Sequence, residues 1–161
     1  MAVTLWACAA GANGFFSDGE HEREWEEGEY ELPPPPSEAN LRSFFVSAAS
    51  PNEFYVDEST LTVGDDAVVR YVLVVRTRGG AENVTFEGIR CTSGERRIYA
   101  LGREDGEWVD ARRSEWEPLR VNSYNMPRAA LAANHFCDGP VPPRNRAEAL
   151  RGLRDGLKQN W

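Results

Sequence analysis

The chain has 161 residues, with 18 Lys+Arg against 26 Asp+Glu and a net charge of −8. That length favours one domain of ordinary size over two well-buried cores, and a hydrophobic share of 41% fits a globular chain rather than collagen, coiled coil or wholesale disorder. The acidity disfavours a nucleic-acid partner, whose phosphates need a basic surface, and the sequence lacks a run of eighteen apolar residues that would mark a transmembrane helix.

The chain opens MAVTLWACAAGANG, in which Leu5-Trp6-Ala7-Cys8 approximates a bacterial lipobox, with a leucine three places before the cysteine, a small residue just before it, and an atypical Trp6. A secretory signal needs a basic segment and then about 7 to 15 apolar residues. Neither fits before Cys8, so residues 1–16 are expected to be a truncated leader with Cys8 as its lipid-attachment site. Two or more acyl chains on Cys8 would hold the protein firmly at a membrane, at about 0.8 kcal/mol per buried CH₂.

From Ser17 to Glu31 eight acids stand against the single Arg23, whereas Asn40 to Trp161 carries 17 acids and 17 bases. The acidity therefore belongs to a segment and not to the domain. Pro33 to Pro36 follow, a run that favours an extended polyproline II rod. Residues 17–38 are expected to form an acidic, proline-rich linker reaching about 60 Å at ~3 Å per residue. A second expectation for Glu22, Glu24, Trp25, Glu26 and Glu27 is a docking strip for an envelope protein with a basic surface. As a calcium loop the strip fails, because Arg23 stands where the turn requires glycine. Trp25 and Tyr30 offer anchors onto the domain.

The domain is expected over 39–161. Strands are predicted at 41–48, 54–57, 61–63, 67–76, 83–91 and 96–101, joined by short turns at Ser50-Pro51-Asn52, Gly64-Asp65-Asp66, Gly79-Gly80 and Ser93-Gly94. Connections that short imply an antiparallel meander. In the strongest strand Val69, Tyr71, Leu73 and Val75 share one face and Val68, Arg70, Val72, Val74 and Arg76 the other, so it reads as central, with both faces covered. Beyond Pro118 the period changes. A helix is predicted over 126–137 with Asn125 as cap and Pro127 in its first turn. A second starts at Asn145, with Glu148 in capping-box position and Leu150, Leu153 and Leu157 on one face; Gly152 and Gly156 weaken it by ~1 kcal/mol each. The predicted class is α+β, a sheet of five or six strands packed by two C-terminal helices.

Three cysteines allow three pairings, and lipidation of Cys8 leaves Cys91 with Cys137, a bridge that would pin the first helix to the sheet. The competing reading makes Cys91, His135 and Cys137 a thiol- or metal-dependent centre of an envelope enzyme or accessory factor. No C-x-x-C, G-x-S-x-G, H-E-x-x-H, phosphate-loop or G-x-G-x-x-G pattern is present. His21 falls in the linker, which leaves His135 as the domain's one histidine base. No catalytic residue, cofactor or metal is therefore assigned.

The runs FYVD, VVRYVLVV, NVTFEGIRC, LGREDGEW and HFC resemble the cryptic neisserial protein family of small exported proteobacterial proteins, over roughly Leu41 to Leu157. The resemblance implies a domain of uncharacterised function, often behind a signal or lipoprotein leader, with Cys91 and Cys137 as its cysteine pair. The short, uncharged leader departs from the family's usual one. The combined expectation is a non-catalytic binding or scaffolding protein of the cell envelope, periplasm-facing and lipid-anchored at the outer membrane. Arg144, Arg146, Arg151, Arg154 and Lys158 make the last helix basic, which softens the exclusion of nucleic acid.

Overall fold

The computed structural model describes residues 24–157. Cys8, with the rest of the expected leader, and Glu22 lie outside them.

Eight strands form one antiparallel sheet: β1 (Leu41–Ser43), β2 (Glu53–Asp57), β3 (Thr62–Val63), β4 (Val68–Arg76), β5 (Glu82–Arg90), β6 (Glu95–Gly102), β7 (Trp108–Asp110) and β8 (Glu117–Pro118). The order is β1-β2-β4-β5-β6-β7, with β3 also pairing β4 and β8 pairing β6. Each predicted strand is present. The first is shorter than expected, because the hydroxyls of Ser47 and Ser50 accept from the amides of Ala49 and Asn52 and turn 46–52 away from the ladder. β7 and β8 are additional to the predicted strands, being too short for an alternation to register in the sequence.

β4 divides its side chains as its period requires. Val69, Tyr71 and Leu73 join a core with Val56, Ile89, Leu131, Phe136 and Leu153 under the helices. On the other face, Val72 and Val74 cluster with Phe86, Tyr99 and Ala100. The helical layer is α1 (Met126–Leu131), a π-helical turn over Ala132–Phe136, and α2 (Arg146–Asp155). Cys91, just after β5, is bonded to Cys137, just after the π turn, so the first helical segment is tied to the sheet.

Both helix starts test the capping expectations. Asn145 caps α2, its side chain accepting from the Glu148 amide at 2.9 Å. Asn125 does not cap α1: its backbone is already helical and its Oδ1 accepts from Arg96 Nε at 3.3 Å. Of the two glycines expected to weaken α2, Gly156 lies outside it as the C-cap at φ 73°, where glycine is favoured, and Gly152 has a packing reason. A Cβ on Gly152 would lie 2.0 Å from the His135 carbonyl oxygen, so only glycine lets α2 pass this close to the π turn.

The linker expectation differs most. Over 24–36 the acidic segment is a strap laid on the sheet face that the helices leave open. The Trp25 indole donates to the Asp66 carbonyl at 3.0 Å, Tyr30 packs against Tyr99 and Phe86 at 4.2 and 6.0 Å between ring centres, and the Trp108 indole donates to the Pro33 carbonyl at 2.7 Å. Glu24 and Glu26 stay exposed while Trp25 and Glu27 turn inward. Repulsion among the acids is relieved by this alternation. The apolar cluster on this face also gains a cover.

Candidate functional site

Two places concentrate chemistry, one on each face of the sheet. The first is a cleft of about 820 Å³ on the helix side, between the ends of β4, β5 and β6, the 46–52 loop and the start of α1. Val46, Phe54, Val75, Leu101 and Met126 give it an apolar body, and Asn52, Asn83 and Ser123 add neutral polar groups. Size and lining fall within the range of small-molecule sites. Leu101 and Tyr124 at its mouth are 44% and 58% exposed, an apolar rim that a soluble domain leaves open only at some cost.

Arg128 reaches the inner end of the cleft, and its charge is spent inside the protein. Nε and Nη2 clamp the Glu87 carboxylate at 2.9 and 2.5 Å, and Nη1 donates to the Tyr124 carbonyl at 2.7 Å. Glu87 is fully buried and also accepts from Tyr71 at 3.1 Å and Thr85 at 2.6 Å. Burial first, and then the adjacent carboxylate, push the Tyr71 phenol well above its ordinary range, so it remains a neutral donor. The cleft therefore offers shape and neutral polar groups, and its two charged lining residues are both paired, Arg128 with Glu87 and Glu82 with Arg76 at 2.8 Å.

The second place is the socket under the strap. Glu27 accepts from Arg70 Nη2 at 3.1 Å and from the Trp116 indole at 3.0 Å, and is hydrogen-bonded as well by Arg97 and the Tyr99 hydroxyl. Burial alone would raise its pKa. The bonds from Tyr99, Trp116 and Arg70 and the charge of Arg97 outweigh burial and hold it below the usual carboxylate range. Trp25 sits edge-on to Trp116 at 5.6 Å, with the Arg90 guanidinium 3.8 Å from its ring centre. Gly88 permits the socket, because a Cβ there would meet the Tyr99 hydroxyl at 2.7 Å.

Of the residues expected to dock a basic partner, Trp25 and Glu27 thus dock onto this chain's own arginines, and Glu24 and Glu26 face outward. The alternative centre does not assemble. Cys91 and Cys137 are spent on each other, and His135 Nδ1 lies 2.9 Å from the Gly152 carbonyl. Among the described residues no group of three His, Cys, Asp or Glu side chains is placed to hold a metal, and no helix is long and apolar enough to cross a membrane. Arg70 and Arg97 as a carboxylate clamp went unrecognised in sequence. The available signal was that two arginines fall on inward positions of central strands, where each needs a counter-charge.

These features define a disulfide-tied α+β domain, with an open apolar cleft on one face and an acidic strap on the other. The chain belongs to the CNP1-like family, whose profile matches residues 20–154, a span that takes in the strap. It is 27% identical over 137 residues to Cryptic neisserial protein 1 of Neisseria gonorrhoeae (strain ATCC 700825 / FA 1090), covering 74% of this chain and 67% of that protein. Neither bears the name of an enzyme. No solved structure matches the chain.

Proposed function

We propose that this is a non-catalytic binding protein of the bacterial cell envelope, and that the cleft between β4–β6 and the 46–52 loop is its binding site for an uncharged, largely apolar ligand. The observation that carries the reading is the cleft's chemistry: an apolar body and rim around an arginine whose three nitrogens all donate to protein acceptors. An anionic ligand would have to displace Glu87 from a buried pair, which costs several kcal/mol. The disulfide supports an oxidising address, since such bonds persist outside the reducing cytosol. The lipobox-like Leu5 to Cys8 supports a lipid anchor at Cys8 and an outer-membrane, periplasm-facing location. With the strap docked from Glu24, a tether from Cys8 would span at most ~55 Å. Glu24 and Glu26, left outside by the strap, suit an envelope partner with a basic surface.

The test of the cleft uses N-phenyl-1-naphthylamine, an uncharged apolar fluorophore. The expected result is saturable binding with one dye per protein, lost in Leu101→Lys while its thermal unfolding midpoint is retained. Leu101 is exposed enough to accept the change. Absence of saturable binding, or equal binding by the variant, overturns the reading. The address is tested by fractionation and mass analysis of Cys8 in a bacterial host carrying the natural upstream sequence.

A further inference from the structure

We propose that the face opposite the cleft is a peptide-recognition site for an extended acidic segment with aromatic anchors, a site that this chain fills with its own residues 24–36 and that a partner presenting the same chemistry can fill in their place. It concerns different residues from the cleft and stands independently of it.

The donors of the site are held by residues of the domain as well as by the strap. Asp66 holds the Arg70 guanidinium at 2.6 and 3.2 Å, and Arg70 Nε donates to the Tyr99 hydroxyl at 3.2 Å. Ser114 holds Arg97 Nε at 3.1 Å. Two guanidiniums, one indole N–H and one phenol are thus aimed at the place where a carboxylate sits, and such preorganisation lowers the cost of binding one. A guanidinium pair fits a carboxylate through several parallel donors, which makes the socket selective for an acid.

The strap has the character of a ligand. Residues 24–36 belong to no strand of the sheet, and their attachments are separate plugs. Trp25 enters between Arg90 and Trp116, Glu27 enters the guanidinium socket, Tyr30 lies on Tyr99 and Phe86, and the Pro33 carbonyl meets Trp108. The Gly28 amide donates to Asp66 Oδ2 at 2.8 Å, which fixes the register between the tryptophan and tyrosine anchors. This pattern of alternate side-chain anchors around an extended backbone is how peptide-binding domains read their targets. Tetraproline then keeps the far end extended, so little order is lost on release and rebinding. Linked in cis, the chain's own segment has an effective concentration in the mM range and outcompetes a free peptide of equal affinity. A partner must therefore bind more tightly, or bind when Glu27 is displaced.

The experiment places a protease recognition sequence between Ser37 and Glu38, both exposed, in the otherwise intact chain, and cuts after folding. A fluorescein-labelled peptide of residues 24–36 is then titrated onto the cut protein. Expected are saturable exchange of the severed segment for the labelled one, binding at least about 10-fold weaker for a Glu27→Gln peptide, and unchanged binding for Glu29→Gln, an exposed position. In the uncut protein the labelled peptide should bind at least ~10-fold more weakly than in the cut one. Three outcomes overturn the proposal: unfolding of the domain when the segment leaves, which makes the strap an integral layer; a severed segment that never exchanges; and equal binding of the Glu27→Gln peptide.

Discussion

Replacing Arg128 by methionine removes one member of the buried pair at the end of the cleft while roughly keeping its volume. Glu87 has no solvent exposure and Arg128 only 4%. The substitution takes away two of the four hydrogen bonds that the carboxylate accepts and leaves those from Tyr71 and Thr85. A buried charge deprived of its partner costs about 3–5 kcal/mol. For a domain of this size, 1 kcal/mol moves the midpoint by roughly 3–5 °C, so the loss should be about 10–20 °C. Adding Glu87→Gln removes the buried charge, keeps one oxygen that accepts from Tyr71 or Thr85, and turns its amide NH₂ toward the other hydroxyl, which can accept. The double variant should therefore recover about 2 kcal/mol of what Arg128→Met alone loses, a coupling typical of residues in direct contact. The assay is urea unfolding followed by tryptophan fluorescence, with thermal melts by circular dichroism. A loss under about 1 kcal/mol for Arg128→Met, or additive losses in the double variant, would refute the pair as the structural keystone of the cleft.

Three further outcomes follow from the same structure. Cys137→Ser opens a loop of 46 residues' separation, for which the chain-entropy account gives about 4 kcal/mol as an upper value; thiol titration of the unreduced protein should find Cys91 and Cys137 unreactive, and two free thiols there would remove the bridge. Glu27, held below its ordinary value of 4.5, contributes stability that is complete above that pH and disappears as pH falls through the lowered value; wild type and Glu27→Gln should thus differ in strap hydrogen exchange at neutral pH and converge in acid, and a gap that widens on acidification would contradict the socket. Gly152→Ala should destabilise the protein by more than 1 kcal/mol despite alanine's better helix propensity, because its Cβ meets the His135 carbonyl at 2.0 Å; a gain in urea midpoint would show that α2 shifts freely.

Much of the fold was legible because it rests on local period. The face assignment of β4 followed from alternation alone, and the Asn145 cap from one side chain three residues before the amide it accepts from. Asn125 misled because a cap and a turn residue share the same composition, and only Arg96, brought from β6, chooses between them. The strap misled for a related reason. Counting acids from 17 to 31 measures repulsion along the chain, whereas Glu27 is held by residues 43, 70, 72 and 89 positions away.

The sequence by itself determined the class of the fold, the central strand with its two covered faces, the two helical segments and the cysteines available for a bridge. These follow from periodicity, turn chemistry and residue type, which act between near neighbours. Only the tertiary structure decided that Glu27 is gripped by Arg70 and Arg97 of the chain's own sheet, that Arg128 is consumed by Glu87, and that a cleft remains open beside them. Each depends on which charges meet across the sheet and how much water they lose. Coulombic and desolvation energies of this kind are set by distances through space, and residue spacing along the chain does not carry them.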